Sequence, residues 1–324
     1  MSELKYSVEL SAFWPPADRC VPGGYRKPME IEQMLDALAG IDGLDGTEIY
    51  WPGDFDDPVA MKSMLDERGL GVASVGVDIF ADAQWQKGAL TSADTALRGE
   101  AIQRHKDAMD AAVVLGVDTL TMWPGQDGFD YPFQSDYRAL WQRLTDGVRE
   151  VGEHNPNIRV AVEYKVKEPR SHLLVSNVGK ALTLVHDVGL ANVGVCLDVG
   201  HALIAFENPG ESMALLDAYD RLFHVHMNDN YREWDYDMLP GSVHLWETLE
   251  AFYWMDRLGY EGWINFDICP FREDPVRASQ ETISMARQLM RAARELDHDR
   301  LETLQKTGDS VAICTLLRES VLKG

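Results

Sequence analysis

GTEIYWPGDFDDPVAMKSMLDERGLGVASVGVDI, Gly46 to Ile79, holds the unit from which the fold can be read. GTEIYWP (46–52) and GVASVGVDI (71–79) are short, nearly continuous apolar runs of the kind that form strands buried on both faces. Between them DPVAMKSMLDERG carries apolar residues at three- and four-residue spacing and stops at a glycine. Those are the period and stop of an amphipathic helix. A strand, a helix and a strand in that order predict two parallel strands joined by a crossover.

The same unit recurs along the chain. Strand-like runs fall at 5–13, 46–52, 71–79, 118–125, 159–165, 193–200, 221–229 and 262–268, with helical stretches such as EIEQMLDALAGI and TALRGEAIQRHKDAMDAAVVLG between them. Eight such units predict a single (β/α)8 TIM barrel over residues 1–297, and 324 residues suit one such domain. A doubly wound sheet is the competing arrangement, but no glycine-rich phosphate loop follows the first strand. Residues 298–324 are helical in pattern and form a C-terminal tail that can pack on the barrel or on a neighbouring subunit.

Composition excludes several roles. Fifty-three Asp and Glu against thirty Lys and Arg leave a formal charge of −23. Such a surface repels phosphate backbones and anionic lipid, so neither nucleic acid nor membrane is expected as a partner. Cys20, Cys196, Cys269 and Cys314 are scattered, without metal or redox spacing, which fits a reducing compartment. The start MSELKYSVELSAF lacks the basic residues and long apolar run of a secretory signal, and no run is long enough to span a bilayer. A cytoplasmic protein is predicted.

In this fold chemistry belongs to the C-terminal ends of the strands. Four successive strands end in charged residues: VEYK, CLDVGH, HVHMND and NFDI. Because side chains two apart share a face, Glu163 goes with Lys165, and His224 with His226 and Asn228. Carboxylates and imidazole converging from neighbouring strand ends would repel and be badly solvated without a cation. Glu163, Asp198, His226 and Asp267 offer three oxygen donors and one nitrogen. That set suits Mn2+, Mg2+ or Co2+ better than a thiolate-rich structural zinc. His224 is expected to pack or hydrogen-bond near the barrel wall. His201, three residues after Asp198, and the pair Asp235 and Asp237 could hold a second ion beside the first.

VEYKVKEPRSH, CLDVGHA, HVHMNDN followed by DYD, and NFDI, together with LTMWPGQDG, resemble the xylose isomerase-like TIM-barrel superfamily. Within it they are most similar to the broad-specificity bacterial L-rhamnose isomerases. The resemblance implies a first metal on Glu163, Asp198, His226 and Asp267 and a catalytic metal on His201, Asp235 and Asp237, with Mn2+ foremost and Co2+ or Mg2+ also suitable. It implies Lys165 beside the reacting carbonyl, His201 near the substrate, and Trp123 in the aromatic wall of a sugar pocket, where Trp51 is expected too. It further implies a homo-oligomer, a dimer or tetramer. The chain departs from those enzymes in being shorter, in reading EIYWPGD, with Glu48 and Trp51, where they carry a pocket histidine, and in the length of the loop before Asp235.

The activity so implied is interconversion of a free aldose and ketose by metal-assisted hydride shift between C1 and C2. No arginine cluster or glycine-rich loop marks a phosphate site. The alternative is a ketose 3-epimerase using Glu163 and Asp267 as acid and base on opposite faces of C3. Endonuclease IV relatives share the barrel but need a basic, DNA-facing surface. A sugar-binding protein without turnover would not need a second metal set.

Overall fold

In the computed structural model, which describes residues 4–168 and 170–322, eight parallel strands close on themselves. They are β1 (Lys5–Glu9), β2 (Gly46–Trp51), β3 (Gly71–Val77), β4 (Thr119–Met122), β5 (Arg159–Glu163), β6 (Val193–Asp198), β7 (Leu222–His226) and β8 (Trp263–Phe266). Each pairs with its sequence neighbour, and β1 pairs with β8 from Lys5 opposite Trp263 to Val8 opposite Phe266. The TIM barrel is therefore present, and all eight sequence-predicted runs supply its strands. Each strand stops short of its predicted end, because the residues that follow turn into the loops of the site.

The helices are α1 (Ile31–Ala39), α2 (Pro58–Arg68), α3 (Thr95–Leu115), α4 (Tyr137–His154), α5 (Val178–Val188), α6 (Val199–Ile204), α7 (Pro209–Ala218), α8 (Leu245–Leu258), α9 (Pro275–Glu295), α10 (His298–Thr307) and α11 (Ser310–Val321). Their ends follow capping chemistry. Asp57 accepts from the amides of Val59 and Ala60 at the start of α2, with Pro58 in the first turn, and Gly69 closes the helix at φ 67°. There the left-handed conformation suits a residue without a side chain. Asp94, Asp136 and Asp274 cap α3, α4 and α9 in the same way. The tail forms α10 and α11, and Leu301 and Leu316 bury against the body of the protein.

The aliphatic residues of the strands, such as Val8, Ile49, Val75, Leu120, Val160, Val162, Val195, Leu197, Val225 and Ile264, belong to the core cluster shared with the helices. Alternate strand positions line a barrel interior that is unusually polar for this fold, where branched aliphatics commonly fill the centre. Ser7 donates to Asn265 (2.8 Å), Ser74 bonds Thr121 (2.7 Å), and Glu48 meets His224 and His226. At Gly76 a Cβ would lie 2.6 Å from the Tyr50 ring, so that glycine makes room for an aromatic on the inner face of β2. Three short antiparallel segments, Gly128–Phe129, Lys167–Glu168 and Ser171–Leu173, add a small sheet after β4 and β5. Among the described residues no helix is long and apolar enough to cross a membrane.

Candidate active site

A cavity of ≈ 290 Å³ opens at the C-terminal ends of the strands. It is small for a ligand pocket and matches a small molecule better than a polymer. Its lining brings together Glu163, Lys165, His201, Asp235, Asp237, Asp267 and Trp123 from the sequence-predicted set, and adds Glu9, Ser11, Trp14, Tyr50, Phe80 and Cys269. One wall is acidic and the other aromatic.

The acidic wall begins with Glu163, Asp198, His226 and Asp267, which each offer one ligand atom, all lying within 4.8 Å of one another. Their positions follow from strand geometry. Glu163 and His226 end β5 and β7 facing inward, and Asp267 follows β8. Asp198 closes β6 and at the same time caps α6, accepting from the His201 amide (2.7 Å), while Asn228 Nδ2 donates to its other oxygen (2.8 Å). The cap starts a helical turn that brings His201 back over the cluster.

His201 lies between two acidic groups. Its Nδ1 is 3.2 Å from Glu163 Oε1 and its Nε2 is 2.9 Å from Asp235 Oδ2. The same Asp235 oxygen is 2.8 Å from Lys165 Nζ, which also pairs with Glu168 and stands 5.0 Å from the centre of the Trp123 ring. Asp237 carries an Oδ1 that is buried and without a hydrogen-bond partner. Its backbone takes φ 45°, a region side-chain-bearing residues seldom use, held by the Asp229–Met238 bridge and by the Cys269 amide donating to its carbonyl. The trio His201, Asp235 and Asp237 shares the cavity but does not present atoms to one point as the first four do. Asp235 Oδ2 is already engaged by Lys165 and His201.

The charges lie close enough to act on one another. Burial pushes Asp267 well up, with Glu9 and Asp198 adding to it, and pushes Asp198 up to about 6. Asp237 is likewise raised by burial, Asp235 and Asp267. Burial acts on Glu163 too, but His226 and His201 outweigh it and hold that carboxyl down at about 2. Asp235 is held low against burial by Lys165 and His201, and Lys165 is raised against burial by Asp235 and Glu168. The Cys196 thiol, near Glu163 and His226, is pushed up by burial.

The cluster fits a divalent cation. The His226 Nδ1 is buried and lacks a hydrogen bond, although it lies 3.5 Å from Glu163 Oε1. Three carboxylates and one imidazole nitrogen are a donor set for a hard or borderline divalent ion.

The aromatic wall is an arc. Trp14 and Tyr50 have ring centres 6.4 Å apart, Tyr50 and Phe80 5.9 Å, and Phe80 and Trp123 4.7 Å. Trp123 stands in this wall, as the resemblance implies, whereas Trp51, expected beside it, does not line the cavity. It packs edge-on against Phe55 (5.2 Å) and on the core. Glu48 faces inward on β2, so the residue sharing its face is Tyr50, and Trp51 must point the other way. Glu9, at the end of β1, was also missed; it lies 3.8 Å from His226 Nδ1, and Tyr50 donates to it across 3.4 Å. The same alternation would have found Tyr50. Glu9 had no companion motif to mark it. His224, expected to hydrogen-bond near the wall, is buried with Nε2 3.1 Å from Glu48 Oε2.

Residues 35–295 match the family described as xylose isomerase-like TIM barrel. The chain belongs to that family. A xylose isomerase of Thermus thermophilus is 30% identical over 223 residues, which is 66% of this chain and 57% of the relative. The chain thus spans little more than half of that enzyme's length. Among solved structures a D-tagatose 3-epimerase-like protein superposes with a TM-score of 0.69 at 18% identity, over 90% of this chain and 99% of that one. An L-ribulose 3-epimerase gives 0.68 at 15% identity, over 90% and 96%. A 3-keto-D-glucoside 4-epimerase from E. coli gives 0.67 at 18%, over 88% and 99%. At such identities these likenesses speak for the barrel. Sugar isomerases and epimerases are thus the proteins this xylose isomerase-like chain is similar to.

Proposed function

We propose that this protein is a metal-dependent aldose–ketose isomerase acting on a free monosaccharide, as the likeness of its motifs to the L-rhamnose isomerases implies. The observation that carries the reading is the place of Asp235. It is bonded to both Lys165 and His201 in the cavity that Asp237 also lines, so a second group of polar side chains stands beside the four-donor cluster. Epimerisation at C3 needs an acid, a base and one cation, and leaves this second group without a task.

We assign Glu163, Asp198, His226 and Asp267 to a first cation, and His201 with the unpartnered Oδ1 atoms of Asp235 and Asp237, which binding would have to draw together, to a second, with Mn2+ the preferred ion. When bound, such ions would hold substrate oxygens and polarise the carbonyl. Lys165 does the rest of the electrostatic work on the substrate. Its buried ammonium, fixed by Asp235, stabilises charge growing on the carbonyl oxygen as hydride passes between C2 and C1. The arc of Trp14, Tyr50, Phe80 and Trp123 packs on the C–H face of the sugar and excludes water. Among the described residues no arginine lines the cavity, and Lys165 is already paired, which favours an unphosphorylated substrate.

A second reading, ketose 3-epimerase, is favoured by the contrast between Glu163, held ionised, and Asp267, pushed up, in one cluster. Carboxyls driven apart in this way suit a base and an acid. NMR of the Mn2+-loaded protein with a panel of ketoses in D2O separates the two. The proposal expects an aldose with little deuterium at C1 and C2. A C3 epimer carrying deuterium at C3 would replace it with the second reading.

A further inference from the structure

Beneath the four-donor cluster lies a buried group that the reaction leaves without a role. Glu48 Oε2 accepts from His224 Nε2 and from His226 Nε2, each at 3.1 Å. Glu48 and His226 are wholly buried and His224 is 2% exposed. The two rings meet edge to face with centres 5.0 Å apart. A carboxylate with two imidazoles costs far more to bury than the aliphatic side chains that can fill a barrel centre. The group is also not optimised as packing, since Glu48 Oε1 has no partner.

His226 connects this group to the cluster above it. The nitrogens of an imidazole point in different directions, and a neutral ring offers a lone pair at only one of them. His226 turns Nε2 to Glu48 and Nδ1 to Glu163. A carboxylate that accepts the proton of one nitrogen leaves the other as the ligand and sharpens its basicity. Glu48 reaches only the nitrogen turned away from the cluster, so it serves no ion there as a fifth ligand.

We infer that Glu48 is a positioning residue: by accepting the Nε2 proton of His226 it aims the Nδ1 lone pair at the cation held with Glu163, Asp198 and Asp267. His224, donating to the same oxygen, keeps the carboxylate in place. The inference rests on the reading of those four residues as a cation site, and it does not depend on which sugar reaction follows.

The test is calorimetric titration of the metal-free full-length protein with Mn2+, for the wild type, E48Q and E48L. The amide oxygen of E48Q still accepts but carries no charge, and the expected loss of affinity is about tenfold. E48L removes the acceptor at similar volume, and the expected loss is about a hundredfold. Circular dichroism and thermal unfolding of the metal-free variants check the fold, and if E48L does not fold, E48Q decides alone. Either folded variant binding Mn2+ within about twofold of the wild type overturns the inference. Histidine 15N spectra of the Zn2+-loaded wild type give a second readout, independent of packing. They should show Nδ1 of His226 bound to metal and Nε2 protonated; the reverse overturns the inference. A wild type that binds no divalent ion would remove the cation site itself and the role of Glu48 with it.

Discussion

Replacing Lys165 by Met separates the two tasks that its position implies. The ammonium is buried, 2.8 Å from Asp235 Oδ2, paired with Glu168 and set over Trp123. In K165M, Glu168 can turn to water, because its side chain is 19% exposed, whereas that of Asp235 is 5% exposed and cannot. Removing one partner of a buried pair costs about 3–5 kcal/mol. The low end applies, since His201 still bonds the same Asp235 oxygen at 2.9 Å. Unfolding entropy for a chain of 324 residues is about 0.7 kcal/mol per kelvin, so a loss of about 3 kcal/mol lowers Tm by about 4 °C. If Lys165 also stabilises charge on the carbonyl oxygen, kcat falls by about 100- to 1000-fold, as when an oxyanion donor is deleted. The assay is Tm of the metal-free protein together with kcat of the Mn2+ form on the best ketose of a panel. A drop in Tm with kcat within about fivefold of the wild type would refute the catalytic role. An unchanged Tm would refute the account of burial.

Three further outcomes are expected. The double variant D235A/D237A should fold with a lowered Tm, because Lys165 and His201 lose their shared buried partner while the repulsion between the two carboxyls is relieved, and it should lose isomerisation; substantial residual turnover in the folded variant would sink the two-cation reading. Trp123→Leu removes a stacking surface worth about 1.4 kcal/mol and should raise KM about tenfold, whereas Trp51→Leu, outside the cavity, should leave KM alone; equal effects would show the wall to be wrongly drawn. His105 in α3 is buried, with Nδ1 bonded to the Ala101 carbonyl at 2.7 Å, and burial lowers its pKa to about 4. The folded value lies below the unfolded one, so this contribution to stability is present above about pH 6.5 and is lost as pH falls towards 4. About 2 kcal/mol is gone by pH 5, and urea midpoints of H105L should fall less between pH 7 and pH 5 than those of the wild type.

The barrel was legible because both signals behind it are local. Strand runs are set by burial on two faces, and helices by period and by stops such as Gly69. The ends of β5 to β8 were legible because alternation keeps Glu163 with Lys165 and His224 with His226. At β2 the same alternation puts Tyr50, and not Trp51, on the face of Glu48. Trp14 and Phe80 come from loops, whose paths depend on contacts such as Trp14 Nε1 donating to Asp54 (3.2 Å), and periodicity carries no information about those. Asp229, in the same acidic run as Asp235 and Asp237, has a different task. It accepts from the Val243 and His244 amides and from His244 Nδ1, each at 2.8 Å, and so shapes the loop that carries the other two.

The pattern of charge gives the physical reason to expect cations here. Among the described residues, Glu9, Glu48, Glu163, Asp198, Asp235, Asp237 and Asp267 gather at this end of the barrel, and burial raises every one of them. Glu48, Glu163 and Asp235 are nevertheless held low, each chiefly by the nearby charge of His226 or Lys165. Glu9, Asp198, Asp237 and Asp267 are not, although His226 or His201 lies close enough to pull on three of them and Lys165 on Asp237. The positive groups that reach this site are thus shared out before its carboxyls are satisfied. Protonation would neutralise the remaining four but leave them weak acceptors around the His226 Nδ1, whereas divalent ions would answer carboxyls and imidazole together. That is why a site that looks overcharged as protein alone is better understood as the protein's half of a metal centre.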